Sequence, residues 1–447
     1  MFKTLRNAWA IPELRSKLLF TLMILVIYRF GASLPIPFIN YDAIQSMANL
    51  YSGGSIFAYL NILSGDAFSK ATLLALSVSP YITASIVMQL LGVAIPAIER
   101  IAKNGEEGRK KIERITRYVT VGLAIITAIG YYNILRVEGQ NLGVNLYAYT
   151  EGFSGVFSAI VIIACFTAGA SLVMWLAQKI DEQGIGNGIS IILFANIIGA
   201  LPSTFTGLYS SLEYAYTSNM QSLAGVIIYG VLTVVIMIAS IIFVIYMSDA
   251  ERRIPVQYAK RTVGRKTYGG QNSNLPIKLN MSGVMPIIFA STIVSLPTTI
   301  IYMAGGANSE GFWGWVYNAL SSSSLIYAVV LFALIIAFAY FYISISFNPV
   351  EVSNNLMQNG GSIPGIRPGK PTAQYITKVL NKVVLMGAFF LSIIACIPVI
   401  LNVVSGGLLN VMSFSGSTLL IVVGVALETV REMEAQMTMR HYKGFLK

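Results

Sequence analysis

The side chains that carry out chemistry are few in this sequence and poorly grouped. A single histidine, His441, sits in the C-terminal tail, and the two cysteines, Cys165 and Cys396, lie far apart inside apolar runs. One histidine cannot build a metal site or a histidine-based triad, and two such cysteines suggest neither a metal site nor a structural disulfide. Gly184-Ile185-Gly186-Asn187-Gly188 has the glycine spacing of a phosphate loop but lacks the lysine and the preceding strand. It reads as a tight turn into the next helix. There is no Walker loop and no HExxH, so no catalytic residue, metal or cofactor is expected. What remains is weakly polar: Thr83, Ser85, Gln89, Thr167, Ser171, Asn196, Ser291, Thr292 and Ser295, all inside apolar segments. Such groups ordinarily hydrogen-bond helix to helix. Coupled transporters usually carry intramembrane carboxylates or histidines, so walls of this kind suit a passive conduit better than a pump.

The elements that would hold these residues are membrane helices. Of 447 residues, 55% are hydrophobic and 11% charged, with a mean hydropathy of +0.69; a soluble domain carries roughly 25% charged residues. A helix needs about 20 mostly apolar residues to cross the bilayer. Runs of that order predict ten spans: Leu18–Leu34, Ala71–Ile95, Tyr118–Leu135, Ser154–Ala177, Gly188–Leu201, Leu223–Met247, Met281–Tyr302, Ser324–Phe347, Tyr375–Ile400 and Ser417–Val430. The basic N-terminus is not followed by a small-residue cleavage site, so the first run reads as a retained span rather than a removed signal peptide. With both termini inside, 27 of the 30 basic residues fall on the cytoplasmic side, as the positive-inside rule requires. The exceptions, Arg29, Lys70 and Arg136, lie near span ends, where long side chains can snorkel.

Three further features stand out. Two cytoplasmic segments, 248–280 and 348–374, are long enough to be functional. The first reads as a basic hairpin with its turn at Gly264, and the second as a tight Gly/Pro-shaped loop. Val78-Ser79-Pro80-Tyr81-Ile82-Thr83-Ala84-Ser85 in the second span matches Val284-Met285-Pro286-Ile287-Ile288-Phe289-Ala290-Ser291 in the seventh at five positions. Duplicating five spans would give inverted halves, 1–215 and 216–447, with a functional path between them. The prolines would loosen the backbone ladder of both helices. Finally, segment 53–66 places Ile56, Leu60 and Leu63 on one helical face with Phe57 beside them, but is too short to span. It is either an interfacial helix or a re-entrant stopper.

Tyr81-Ile82-Thr83-Ala84-Ser85-Ile86-Val87-Met88-Gln89-Leu90-Leu91 resembles the second transmembrane helix of the SecY family. So do Gly105-Glu106-Glu107-Gly108-Arg109-Lys110-Lys111, Gly184-Ile185-Gly186-Asn187-Gly188-Ile189-Ser190, Tyr258-Ala259-Lys260-Arg261 and Pro364-Gly365-Ile366-Arg367-Pro368-Gly369, in the family's order along nearly the whole chain. The resemblance implies an all-α clamshell of two inverted five-helix halves in a bacterial cytoplasmic membrane, with a short re-entrant plug. It implies a channel that passes unfolded preproteins across the membrane and releases helices sideways into lipid, with no role for DNA. The SecA motor or a ribosome would drive it, signal sequences would engage it, and the SecE and SecG subunits would accompany it. Its pore ring falls on Val78, Ile82, Ile189, Leu193, Ile288 and Ile421, and its plug on Ile56, Phe57, Leu60 and Leu63. Its lateral gate falls on Thr83, Gln89, Ser291 and Ser295, and its docking sites on Arg252, Arg253, Lys260, Arg261 and Arg367. Val78 and Leu193 stand where the family often has isoleucine, and Val350 where some relatives have arginine.

An apolar constriction fits this role, because it excludes ions by dewetting yet tolerates any passing side chain. The competing reading is a secondary transporter for a small solute built on inverted repeats. Intramembrane charges would favour the transporter and large docking loops the channel; this sequence is nearly without the first and has the second.

Overall fold

The structure, a computed structural model, describes residues 2–40, 43–44, 61–102, 104–141, 143, 146–149, 152–217, 223–258, 261–263, 266–268, 272–281, 283–303, 311–321, 324–404 and 415–444. In lipid the backbone must satisfy its own hydrogen bonds, and the apolar runs accordingly form helices. In chain order these are α1 (Phe2–Ala10), α2 (Pro12–Gly31), α3 (Ser79–Ala94), α4 (Pro96–Ala102), α5 (Gly105–Asn141), α6 (Gly152–Gln183), α7 (Gly188–Thr217) and α8 (Leu223–Asp249). After a β-hairpin follow α9 (Met285–Met303), α10 (Phe312–Ala319), α11 (Leu325–Ser346), α12 (Pro349–Gln358), α13 (Lys370–Val404) and α14 (Ser415–Gly444).

Five helical segments among the described residues are long and apolar enough to cross a bilayer: Gly105–Val137, Gly152–Gln183, Met285–Tyr302, Leu325–Gln358 and Lys370–Val403. α3 and α4 together make a sixth, bent by 105° where Pro96 interrupts the ladder. Helix also occupies the other expected runs, in α2, α7, α8 and α14.

The second run departs from expectation. Its helix begins at Ser79, not Ala71. Residues 71–78 form turns, with Ala71 at φ +43° and Ser77 at φ +48°. The Leu73 amide donates to the Leu34 carbonyl at 2.9 Å, which ties this stretch to the chain leaving α2. The prolines of the repeat also differ from their expected role. Pro80 lies in the first turn of α3, and Pro286 is the second residue of α9. There the missing N–H costs nothing, so these prolines start helices instead of loosening them. The prolines inside helices are Pro202, Pro297 and Pro398.

The two long segments between spans, 248–280 and 348–374, form one unit. β1 (Glu251–Tyr258) pairs antiparallel with β4 (Asn272–Lys278), and at the tip β2 (Arg261–Val263) pairs with β3 (Lys266–Tyr268). Val263 faces Lys266, so the chain reverses around the expected Gly264, which itself lies outside the described residues. From the second segment, β5 (Gly361–Ser362) adds to the edge of β1. That segment is not a loop throughout: its first ten residues after Asn348 are α12, whose first turn Asn348 caps by accepting from the Val350 amide at 3.1 Å. Ile254, Val256, Ile277 and Ile363 bury one face of this unit against Ile343 of α11 and Ile376 and Leu380 of α13.

Candidate functional site

The central apolar cluster draws residues from α2, α3, α6, α7, α8, α9, α11, α13 and α14. Five of the six ring positions, Val78, Ile82, Leu193, Ile288 and Ile421, are buried members of it, and Ile189 packs against it half-buried. The folding reason is local. Ile82 and Ile288 are each the fourth residue of helices begun by matched Pro-containing segments. Ile189 and Leu193 follow the glycine turn into α7. In that turn Gly186 is at φ +76°, the Gly188 amide donates to Asp181 Oδ1 at 2.7 Å, and the Ser190 amide donates to Asn187 Oδ1 at 3.1 Å. Amides that a phosphate would need are engaged by side chains, as a structural turn requires. Gly188 also lies against the Ala177 carbonyl, leaving no room for a Cβ.

Beside the ring is a cavity of about 190 Å³, lined by Val78, Ile82, Thr83 and Leu193, by Leu123, Ile126 and Thr127 of α5, and by Thr292 and Ser295 of α9. It brings two of the four gate positions together, Thr83 and Ser295. Gln89 and Ser291 are not among its lining residues. Thr127 and Thr292 are, and the sequence offered no signal that Thr127 would face this seam.

The hydroxyls here were expected to bond between helices. Instead they bond within their own: Thr83 Oγ1 to the Ser79 carbonyl at 3.1 Å, Thr292 Oγ1 to Ile288 at 2.7 Å, Ser295 Oγ to Thr292 at 2.8 Å and Thr127 Oγ1 to Leu123 at 2.8 Å. Gln89 Nε2 likewise donates to Ser85 Oγ of the same helix at 3.3 Å. These side chains can separate across the seam without losing those bonds.

Of the plug positions, Ile56, Phe57 and Leu60 lie outside the described residues; Leu63 is buried and joins the ring's cluster. Leu63 lies in the helical residues 61–64, after which Gly65 and Asp66 are both left-handed at φ +65° and +68°. Polar contacts collect at this point. Asn196 Nδ2 donates to the Leu63 carbonyl and Tyr28 Oη, each at 2.8 Å, and to Ser77 Oγ at 3.1 Å. Ser77 Oγ lies 3.2 Å from both the Leu63 carbonyl and Tyr28 Oη. Arg29 does not snorkel outward: its Nη1 donates to the Gly65 carbonyl at 2.9 Å, and its guanidinium lies over Gly199, where a Cβ would collide with it.

On the hairpin unit Arg252 and Arg253 are exposed on β1, and Arg253 pairs with Glu251 at 2.6 Å. Arg261 lies on β2, and Lys260 is outside the described residues. Arg367 is exposed in a loop whose turns need left-handed backbone at Gly365 and Gly369. Thr372 Oγ1 donates to the Arg367 carbonyl at 2.8 Å, and Ser353 Oγ of α12 to the Gly369 carbonyl at 2.8 Å, so the loop is pinned at both ends. The β1–β5 pairing joins the two arginine-bearing segments through one sheet, which the sequence did not announce.

Comparison with known proteins identifies the family and the fold. The SecY family model matches residues 72–430. The protein translocase subunit SecY of Streptomyces galbus is 41% identical over the full length of both chains. That of Mycobacterium tuberculosis is 40% identical over 97% of each. Among solved structures, a protein-conducting channel superimposes with a TM-score of 0.66 at 16% identity, covering 95% of this chain and 92% of its own. Sec61 from a canine ribosome–channel complex of the endoplasmic reticulum superimposes with a TM-score of 0.62 at 16% identity, with the same coverage.

Proposed function

The chain belongs to the SecY family of protein translocase subunits, and from that premise we propose how its own residues conduct a polypeptide. Ten spans in two inverted halves, 1–215 and 216–447, form a clamshell in a bacterial cytoplasmic membrane with both termini inside. Val78, Ile82, Ile189, Leu193, Ile288 and Ile421 form the constriction. At rest they pack together and exclude water; around a passing chain they move aside, leaving no polar group unsatisfied. The plug, Ile56, Phe57, Leu60 and Leu63, closes the outer side. The seam of Thr83, Gln89, Ser291 and Ser295 opens to lipid, so apolar segments leave sideways. The chain itself is not an enzyme; SecA or a ribosome supplies the work, and SecE and SecG brace the halves.

The observation that carries this reading is the meeting of the ring positions, from four helices and the turn before α3, with Leu63 in one buried apolar cluster. Docking is supported by the shared strand pairing of the two loops, which fixes Arg252, Arg253 and Arg367 relative to one another. Guanidinium groups held this way suit bidentate pairing with carboxylates of a motor or phosphates of ribosomal RNA. The solved ribosome–channel complex is a precedent for the second.

The test is reconstitution of the purified chain with its small membrane partners and the motor ATPase in vesicles. ATP-dependent uptake of an unfolded preprotein is the expected result. Ion-coupled uptake of a small solute without preprotein transport would overturn it in favour of the transporter.

A further inference from the structure

We propose that Asn196, with Tyr28, Ser77 and Arg29, forms a polar clasp that positions the base of the plug and makes channel closure two-state. The inference rests on reading segment 53–66 as the plug. The clasp joins three places distant in sequence: α2 through Tyr28 and Arg29, the turn before α3 through Ser77, and α7 through Asn196. Three of its bonds go to main-chain carbonyls at the plug's base: those of Asn196 and Ser77 to Leu63 and that of Arg29 to Gly65. They therefore hold position whatever side chains the plug carries.

The clasp lies beside the dry ring, and that location determines what it does. Tyr28 and Asn196 are fully buried, and Ser77 is 3% exposed. A primary amide has two N–H donors, and here three acceptors lie within reach of them, so the donors are fully used while the base is in place. When the base leaves, Asn196 keeps Tyr28 Oη and Ser77 Oγ for its two N–H groups, but the Leu63 and Gly65 carbonyls lose their donors and Arg29 Nη1 loses its acceptor. In a dry seam those groups stay unsatisfied, which is costly; in a water-filled open pore they are solvated. The partly displaced state is penalised, and the closed and open states are not.

The closed state also carries unfavourable features that the clasp offsets. Asn196 Oδ1 is buried without a hydrogen-bond partner, and Ser77 is a non-glycine residue at φ +48°. Both can relax once the base is gone, so the clasp holds a state poised to release. Glycine at 199 and at 65 lets the guanidinium approach the backbone.

The test uses the purified complex in planar bilayers, reading resting ion conductance and thermal stability. Asn196→Leu removes the donors at similar volume and is expected to raise the resting open fraction about tenfold or more. Tyr28→Phe, which removes one hydroxyl without changing shape, is expected to raise it less, and carries the comparison if Asn196→Leu fails to fold. Gly199→Ala is expected to leak by displacing Arg29. Deletion of 55–64 is made in parallel, alone and combined with Asn196→Leu. A clasp acting through the plug predicts no added leak in the combined variant. Added leak there, or tight channels for all three substitutions while the deletion leaks, overturns the clasp and leaves the plug standing. A deletion that does not leak overturns both.

Discussion

Removing ring side chains should open the resting channel in proportion to the apolar volume removed, while removing equally buried side chains elsewhere should not. Ile82 and Ile288 are 5% and 4% exposed and sit in the cluster that contains the ring. Ile→Ala deletes three carbons, and each buried methylene is worth about 0.8 kcal/mol, so one substitution removes up to about 2.4 kcal/mol. If the cluster exists only in the closed channel, all of that is lost from the closed state. With a factor of ten per 1.4 kcal/mol, the closed-to-open ratio falls by up to about 50-fold. Ile→Val deletes one methylene and should cost about 0.8 kcal/mol, or roughly fourfold. Alanine is a better probe than glycine, because glycine adds about 1 kcal/mol of helix destabilisation unrelated to the seal. The control is Ile162→Ala: Ile162 is fully buried but belongs to the second cluster, with Phe166, Tyr131 and Ala124. Resting conductance of purified channels in planar bilayers should rank Ile288→Ala and Ile82→Ala above Ile288→Val, with Ile162→Ala at the wild-type level despite lower thermal stability. Equal leak from Ile162→Ala would show that stability alone sets closure. No leak from either ring variant would remove these residues from the seal.

Deleting 55–64 should leave membrane insertion intact while giving transient openings and looser substrate discrimination; failure to insert would make the segment structural. Arg367→Glu should impair motor- or ribosome-driven transport of a reporter preprotein into vesicles with resting conductance unchanged, and Arg367→Lys should fall between, because it keeps the charge and loses the fork. Normal transport by Arg367→Glu would take the residue out of the docking face. Gly169→Ala should lower thermal stability by about 1–3 kcal/mol, because Gly169 lies against the Leu73 carbonyl and a Cβ has no room; an unshifted melting temperature would mean that α6 and the 71–78 turns can separate at no cost.

Sequence legibility followed the length scale of the signal. Apolar runs and basic loops are summed over twenty or more residues, and helix occupies each of the ten expected runs. Boundaries failed where a single contact outweighs the sum. Residues 71–78 are apolar enough to continue a helix, yet the Leu73 amide bonds to Leu34, and the backbone turns. α12 was hidden in a segment read by its glycines and prolines, although Asn348-Pro349 is a cap followed by a proline at the first helical position. The pairing of β5 with β1 joins residues a hundred positions apart through backbone groups alone, so no side-chain pattern could reveal it.

The ring and the clasp show the same limit from opposite sides. The ring positions were carried over from the family resemblance, with Ile82 and Ile288 also at matched places in the repeat, and their meeting in one apolar cluster needs only the right residue types at the right helical positions. The clasp needs four particular polar groups to converge, and nothing in Tyr28, Arg29, Ser77 or Asn196 taken singly distinguishes them from helix-packing or snorkelling residues. Arg29 illustrates this best. Its position near a span end predicts an outward-reaching side chain, and only the bare backbone at Gly199 lets it turn inward to the Gly65 carbonyl. A half-buried arginine beside an apolar cluster needs a directional partner to offset its desolvation. The main-chain carbonyl that supplies it, that of Gly65, belongs to the segment proposed above as the plug. If the proposed plug moves on opening, this bond breaks with it, which makes Gly199→Ala the sharpest single substitution for separating closure from folding.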